Sequence, residues 1–493
     1  MRRVFLACAI AVGIALVLSS SAFAQSVTRV SSGDPDASCT LGAAPGSVAN
    51  PGTEVEPYLV DNPSRPANLL GAWQQDRWSD GGGKNLVAGW SFNGGTSWGE
   101  TQLPFSECDG AAGVPYQRAS DPGVAFGPDG RAYAIAIVFD GTTTRNGVAA
   151  ATSTDGGRTW SAPKLLIRDV GSPTTGDPFN DKELIFADPV HAGVAYAVWD
   201  RLLDVAGQTA TRAPLILAKR GAARRTGFGP QQQQPAFTGP AYFSETTNGG
   251  ATWQAPRPIV QTGVNEQTIG NYLVTDPRTD TLYDFFTYIT ADGVSHAAFV
   301  SSSNRGATWS SMHVFADQQT VGVKGYRTGS GLLSPAIDPR TGALYVTWED
   351  ARFNGGQYDE VALTSSRDGG RTWSAVARVN PASASGQPAY TPTVAVNAAG
   401  AVAVTYYQSA DFQANDETNY DVTLSRNGGR TFSRPSLLAG PFDMSTAPSA
   451  GGYFVGDYEA IATAGDTFYP FFVTTTGVAG DPTDVYTTAV SSP

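Results

Sequence analysis

The sequence predicts an all-β fold, a β-propeller of four-stranded antiparallel blades. Three observations predict it. Six segments share a pattern close to S-x-D/N-x-G-x-T-W. A hairpin element recurs about 35 residues before most of them. The 493-residue chain holds 56 glycines, 11% aromatic and only 15% charged residues, a composition that suits short strands and tight turns.

The six boxes are Ser91 to Trp98, Ser153 to Trp160, Thr246 to Trp253, Ser302 to Trp309, Ser366 to Trp373 and Ser425 to Phe432. In each, Asp or Asn caps a turn through its side chain. Glycine supplies a positive φ that other residues resist. The aromatic covers the turn and seals the gap to the next sheet. These Asp boxes read as structural, far from any ligand face.

The hairpin element is an apolar strand, D-P-x-x-G, then a second strand ending near an aromatic. Its clearest copies run from Asp188 to Trp199, Asp276 to Phe286 and Asp338 to Trp348, with weaker ones from Asn62, Gly127 and Asn397. Hairpin, third strand, Asp box and fourth strand make one blade. The third unit is longer by an inserted low-complexity loop around 201–240, holding Arg224-Arg225 and Gln231 to Gln234. A seventh hairpin, Tyr458 to Phe471, has a third strand but no fourth. The segment Ser26 to Val30 has fourth-strand character, so it is expected to complete the last blade and close the ring. The count is seven blades, with six the alternative.

Residues 1–24 read as a signal peptide: Arg2-Arg3, an apolar run, then Ala22-Phe23-Ala24. The mature chain is then a single propeller domain over 25–493, secreted to the periplasm or the exterior. No later segment is apolar enough to anchor it in a membrane by a helix. The net charge is −12, and removing the leader takes two more positive charges, which disfavours nucleic acid as partner. Cys39 and Cys108 are expected to pair in an exported chain; two separate buried thiols is the other reading.

Alternate turns of a blade lie on opposite faces. The Asp boxes and D-P-x-x-G turns share one face. The other face, around the axis, gathers charged residues from distant parts of the chain. Entering first strands are Glu56, Asp121, Asn180-Asp181-Lys182-Glu183 and Asp457-Tyr458-Glu459. Leaving second strands are Asp76-Arg77, Asp140, Asp200-Arg201, Glu349-Asp350-Ala351-Arg352 and Tyr406-Tyr407. Arginine grips carboxylate or sulfate, and paired carboxylates do acid/base work on a glycosidic bond. Salt bridges between adjacent blades are the competing reading. The three histidines lie in no metal or triad spacing. No cofactor is expected. Asp and carbonyl oxygens could hold a structural Ca²⁺, though no EF-hand run is present.

The Asp boxes and leader resemble the BNR-repeat, sialidase-like superfamily. The chain is similar in particular to secreted bacterial proteins labelled sialidase or exo-α-sialidase. The shared stretches are Trp73 to Ser79 (WQQDRWS), Ala119 to Pro122 (ASDP), Asn180 to Glu183 (NDKE), Tyr345 to Phe353 (YVTWEDARF) and Gly452 to Glu459 (GYFVGDYE). The resemblance implies a glycosidase acting on glycans through an arginine clamp, an Asp acid/base and a Tyr–Glu nucleophile pair. By ring position, Asp121, Glu349, Tyr458 and Glu459 are the candidate catalytic residues. Arg77, Arg327 and Arg352 are the candidate clamp, with Asp181, Glu183, Asp350 and Asp457 beside them in substrate binding. The R-I-P motif of sialidases is absent, Arg65-Pro66 being no match, and sialidases are six-bladed. A non-catalytic glycan- or protein-binding propeller and a polysaccharide lyase are the alternatives.

Overall fold

The computed structural model describes residues 27–171, 178–209, 235–382, 386–410 and 416–492. The leader 1–24, Arg224-Arg225 and Gln231 to Gln234 lie outside the described residues. Among those residues the regular structure is all β apart from short 3-10 turns. No helix is long and apolar enough to cross a membrane. The strand ladders are antiparallel, apart from one short parallel pair joining 238–239 to 266–267.

Hydrogen-bonded strands fall into consecutive units, of four strands each apart from a fifth in the third, covering 54–102, 118–169, 179–260, 266–317, 334–378 and 389–443. A further set covers 460–487, where Thr28 and Arg29 pair antiparallel with Thr487 and Tyr486 as the fourth strand. The first strands of the units are Glu54–Asp61, Arg118–Phe126, Phe179–Ala187, Glu266–Asp276, Ser334–Ile337, Ala389–Val396 and Ala460–Ala464. Each touches the next, and the last touches the first.

Period-two alternation explains how each sheet is buried on both faces. In Ala132–Phe139 every residue is buried. Ala132, Ala134, Ala136 and Val138 pack toward the first unit with Leu70, Ala72 and Leu86. Tyr133, Ile135, Ile137 and Phe139 pack toward the third with Ala195, Ala197 and Trp199. The seam between first and last units is sealed the same way, Trp73 and Trp98 lying 6.4 and 6.0 Å from the Phe471 ring.

All six Asp boxes share one bond: the amide of the fifth residue donates to the first hydroxyl, as Gly157 to Ser153 at 3.0 Å. The indole of Trp160 then donates to the Gly157 carbonyl at 3.1 Å. Gly249, in the third box, donates to Gly193 of the D-P turn at 2.8 Å, which puts both turn types on one face. The described ends of the 201–240 insertion differ from the loop expected there. Ala195–Thr209 runs as one long strand, and Pro235–Gly239 pairs back onto it.

Cys39 and Cys108 form a disulfide, Cα atoms 5.6 Å apart, across 69 residues. It pins the segment before the first unit to the loop after it. Closing a loop of that length removes about 4 kcal/mol of unfolded-chain entropy. The Cys39→Ser, Cys108→Ser double variant should lose stability of that order, read as a lower urea midpoint under non-reducing conditions.

Candidate functional site

Five first strands carry the same irregularity at the same depth. Two residues oppose one on the partner strand, so the register slips by one residue, at Glu56-Pro57, Asp121-Pro122, Lys182-Glu183, Gly270-Asn271 and Thr391-Pro392. The leading residue of each slip is left-handed: φ is 56° at Glu56 and Asp121, 50° at Lys182, 71° at Gly270 and 48° at Thr391. Four are not glycine and one is β-branched, so each costs roughly 1–3 kcal/mol locally. Bulges re-aim side chains, and here they turn the charged residues toward a common centre.

Two bulge amides are held from the preceding unit. Asp200 accepts from the Gly270 amide at 2.7 Å, Thr268 Oγ1 at 2.9 Å and Asn271 Nδ2 at 2.7 Å. Glu349 accepts from the Thr391 amide at 2.9 Å and Thr328 Oγ1 at 2.8 Å. Both acids follow a fully buried Trp, Trp199 and Trp348. Glu349 thus holds the neighbouring strand in shape.

Lys182 is the hub of the charged cluster. Its Nζ lies 3.0 Å from Glu56 Oε1, 3.1 Å from Asp121 Oδ2 and 2.9 Å from Asp457 Oδ2. Arg327 grips Asp457 through Nη2 at 2.7 Å and Nε at 3.1 Å. Arg77 donates to Gln74 at 2.6 Å and lies 3.6 Å from Glu56. Phe454 sits between the two guanidiniums, 4.6 Å from Arg77 and 4.4 Å from Arg327, a favourable cation–π arrangement. Glu56 and Asp457 are at most 1% exposed. Burial works against the Lys182 charge, but Asp121, Asp457 and Glu56 outweigh it and raise its pKa. Burial, and then Arg327, lower Arg77 to about 10.

Against this cluster lies an axial cavity of about 70 Å³, bordered by Tyr58, Lys182, Glu183, Tyr272, Tyr458 and Glu459 among others. Tyr58 and Tyr272 come from the first and fourth units, and their hydroxyls meet at 2.8 Å. The cavity has room for a few waters. Glu183 and Glu459 share one pattern. Glu183 Oε1 accepts from the Ile137 amide and Glu459 Oε1 from the Tyr407 hydroxyl. The Oε2 atom of each is buried with no hydrogen-bond partner. Burial raises both well above the carboxylate range, and Asp121 and Asp181 push Glu183 further.

The structure brings together Arg77, Asp121, Glu183, Arg327, Asp457, Tyr458 and Glu459. Asp181 is buried one residue before Lys182. Arg352 and Asp350 pair with each other at 2.7 Å, and Arg352 also reaches the Asp317 carbonyl at the end of a fourth strand. They join two units at the outer edge, so the three candidate arginines do not form one clamp. Arg201 likewise bonds Asp169 at 2.6 Å. Glu459 is held by Tyr407, not by Tyr458. Lys182, Phe454 and the Tyr58–Tyr272 pair were missing from the candidate residues. The recurrence of E-P, D-P and T-P at one strand position was the signal for the bulges.

Burial raises the pKa of several acids in the folded state. Burial raises Asp200 to about 8 and Asp36 to about 7, and Asp284, Glu183 and Glu459 shift the same way. The folded chain therefore binds more protons than the unfolded chain between pH 4 and 8, and this contribution to stability falls as pH rises through that window. Urea midpoints measured at pH 5 and pH 8 should be higher at pH 5.

Residues 241–441, from the third unit into the sixth, match the family model of the BNR repeat-like domain. The resemblance to sialidase-like BNR proteins rests on that match as well as on the Asp boxes. No curated protein sequence matches the chain. Among solved structures, a Hadza microbial sialidase is similar at 14% identity and TM-score 0.46, over 87% of this chain and 74% of that one. A mutant NanB sialidase from Streptococcus pneumoniae is similar at 12% and 0.46, over 90% and 94%. An α-L-arabinanase from Penicillium chrysogenum is similar at 10% and 0.43, over 90% and 98%. These likenesses are remote.

Proposed function

We propose that this chain is a secreted seven-bladed propeller, closed by its N-terminal strand, that acts on glycans as a glycoside hydrolase at the ring axis. The observation that carries the reading is the pair Glu183 and Glu459. Both border one cavity, and each keeps a buried carboxyl oxygen with no hydrogen-bond partner. A carboxyl held neutral at pH 7 can give its proton to a leaving glycosidic oxygen. Glu183, next to two anions, is the acid. Glu459, oriented by Tyr407, is the partner: in the fraction of molecules where it has given up its own proton, it receives one from water or attacks the sugar. The Lys182 cluster sets the field around them. Seven sets of paired strands, with first strands touching in a closed order, support the ring. The leader sequence supports secretion.

The exo-α-sialidase form of this reading asks most of the site. A sialoside carboxylate would compete with Glu56 and Asp457 for Arg77 and Arg327. One observation favours a second reading, a glycan- or protein-binding propeller. The cavity, at about 70 Å³, is far below the roughly 300 Å³ at which ligand pockets begin.

The deciding experiment incubates residues 25–493 with sialosides, neutral glycans and uronate polymers, following reducing ends and unsaturated products. Release of reducing ends is expected from at least one. Unsaturated ends would mean a lyase. Saturable binding with no product from any substrate would mean a binder.

A further inference from the structure

A second site lies on the opposite face, between the fifth and sixth units. There a groove of about 500 Å³ is bordered by Arg340, Arg367, Arg426 and Arg430, with Tyr345 and Asn427. Arg367, Arg426 and Arg430 are exposed. Among the described residues, none of these three has an ion-pair or hydrogen-bond partner. Arg340 is half-exposed and paired to Asp338 at 3.4 Å. Arg367, Arg340 and Arg430 all act on the Tyr345 hydroxyl electrostatically, so their charges converge rather than disperse.

Two facts set this groove apart from ordinary solvated arginines. The chain carries 44 acidic against 32 basic residues, yet four cations here face one carboxylate. The box position of Arg430 is also filled in the second unit, by Arg158. That guanidinium lies over the rings of Phe92 and Trp90, at 4.2 and 5.1 Å. Its charge is absorbed within the fold, whereas Arg430 is left facing the groove.

We propose that this groove binds an acidic polysaccharide, through carboxylate or sulfate groups gripped by Arg367, Arg426 and Arg430. Planar guanidiniums match both oxyanions in two-point contacts. Tyr345 borders the groove with a hydroxyl for ring hydroxyls, and the volume suits a ligand of a few sugar residues. The remaining surface, being net acidic, repels a polyanion, so binding would be confined to the groove and weakened by salt. The site needs no turnover at the axis.

The test is calorimetry of residues 25–493 at low salt with polygalacturonate, dextran sulfate and neutral dextran. At least one polyanion should bind, and the preferred one names the substituent. The Arg367→Ala, Arg430→Ala double variant should bind at least tenfold more weakly. Arg65→Ala, an exposed arginine elsewhere, should bind as the wild type does. Thermal melting of each variant checks that the fold is kept. Wild-type affinity in the double variant, no binding of either polyanion, or equal binding of neutral dextran would overturn the proposal.

Discussion

Replacing Lys182 with Met is expected to destabilise the fold by about 3–5 kcal/mol, the cost of leaving buried charges without their partner. Three carboxylates share that one ammonium within 3.1 Å. Met keeps much of the volume, so the loss reports charge and not packing. Arg327 still holds Asp457 in the variant and Arg77 stands 3.6 Å from Glu56, but neither replaces the shared ammonium. The deficit should shrink as pH falls, because the stranded carboxyls can take up protons. The sign follows from linkage: in the variant the folded state binds more protons than the unfolded chain at neutral pH, so acid favours it. Guanidinium unfolding at pH 5 and pH 8 checks this, with the larger deficit expected at pH 8. Equal stability of variant and wild type at both would mean that the cluster is hydrated and open.

Replacing Glu183 with Gln should lower kcat by about 10²- to 10⁴-fold, the usual worth of a general acid, on whichever glycan is turned over. Binding should be largely kept, because the amide fills the same space and still accepts from the Ile137 amide. That split, lost turnover with retained affinity, marks an interaction made in the transition state. Wild-type activity should fall as pH rises through the raised pKa of Glu183, and any residual activity of the variant should lack that limb. A rise in KM with kcat unchanged would move Glu183 from chemistry to substrate binding.

Much of the architecture was legible because repeats declare themselves. Six Asp boxes fix the turn between third and fourth strands, and Asp155 and Asp368 do in the structure what their motif requires. The first and last segments could be matched because Thr28-Arg29 has the character of a fourth strand. The site was legible only by location. Sequence order places Glu56, Asp121, Lys182 and Asp457 at equivalent points of different units, but not which of them share a proton or a charge. Glu349 and Arg352 stand three residues apart in one motif. Yet Glu349 turns inward to the Thr391 amide, and Arg352 turns outward to Asp350. Tyr458 and Glu459 are neighbours in sequence, but the hydroxyl that reaches Glu459 comes from Tyr407, 52 residues away. Sequence order puts Lys182 on the ring face but gives it no role, because a lysine between two acids does not by itself declare a buried hub. Only the two-residue bulge, with its left-handed φ, turns it inward.

The account stands or falls on two neutral carboxyls at the axis. Infrared difference spectra of the wild type against Glu183→Gln and against Glu459→Gln at pH 7 measure them directly, with no substrate needed. A protonated carboxyl band should be present in the wild type and lose intensity in each variant. If neither substitution removes such a band, and only carboxylate bands are lost, both groups are ionised at pH 7 and neither can be the acid proposed here.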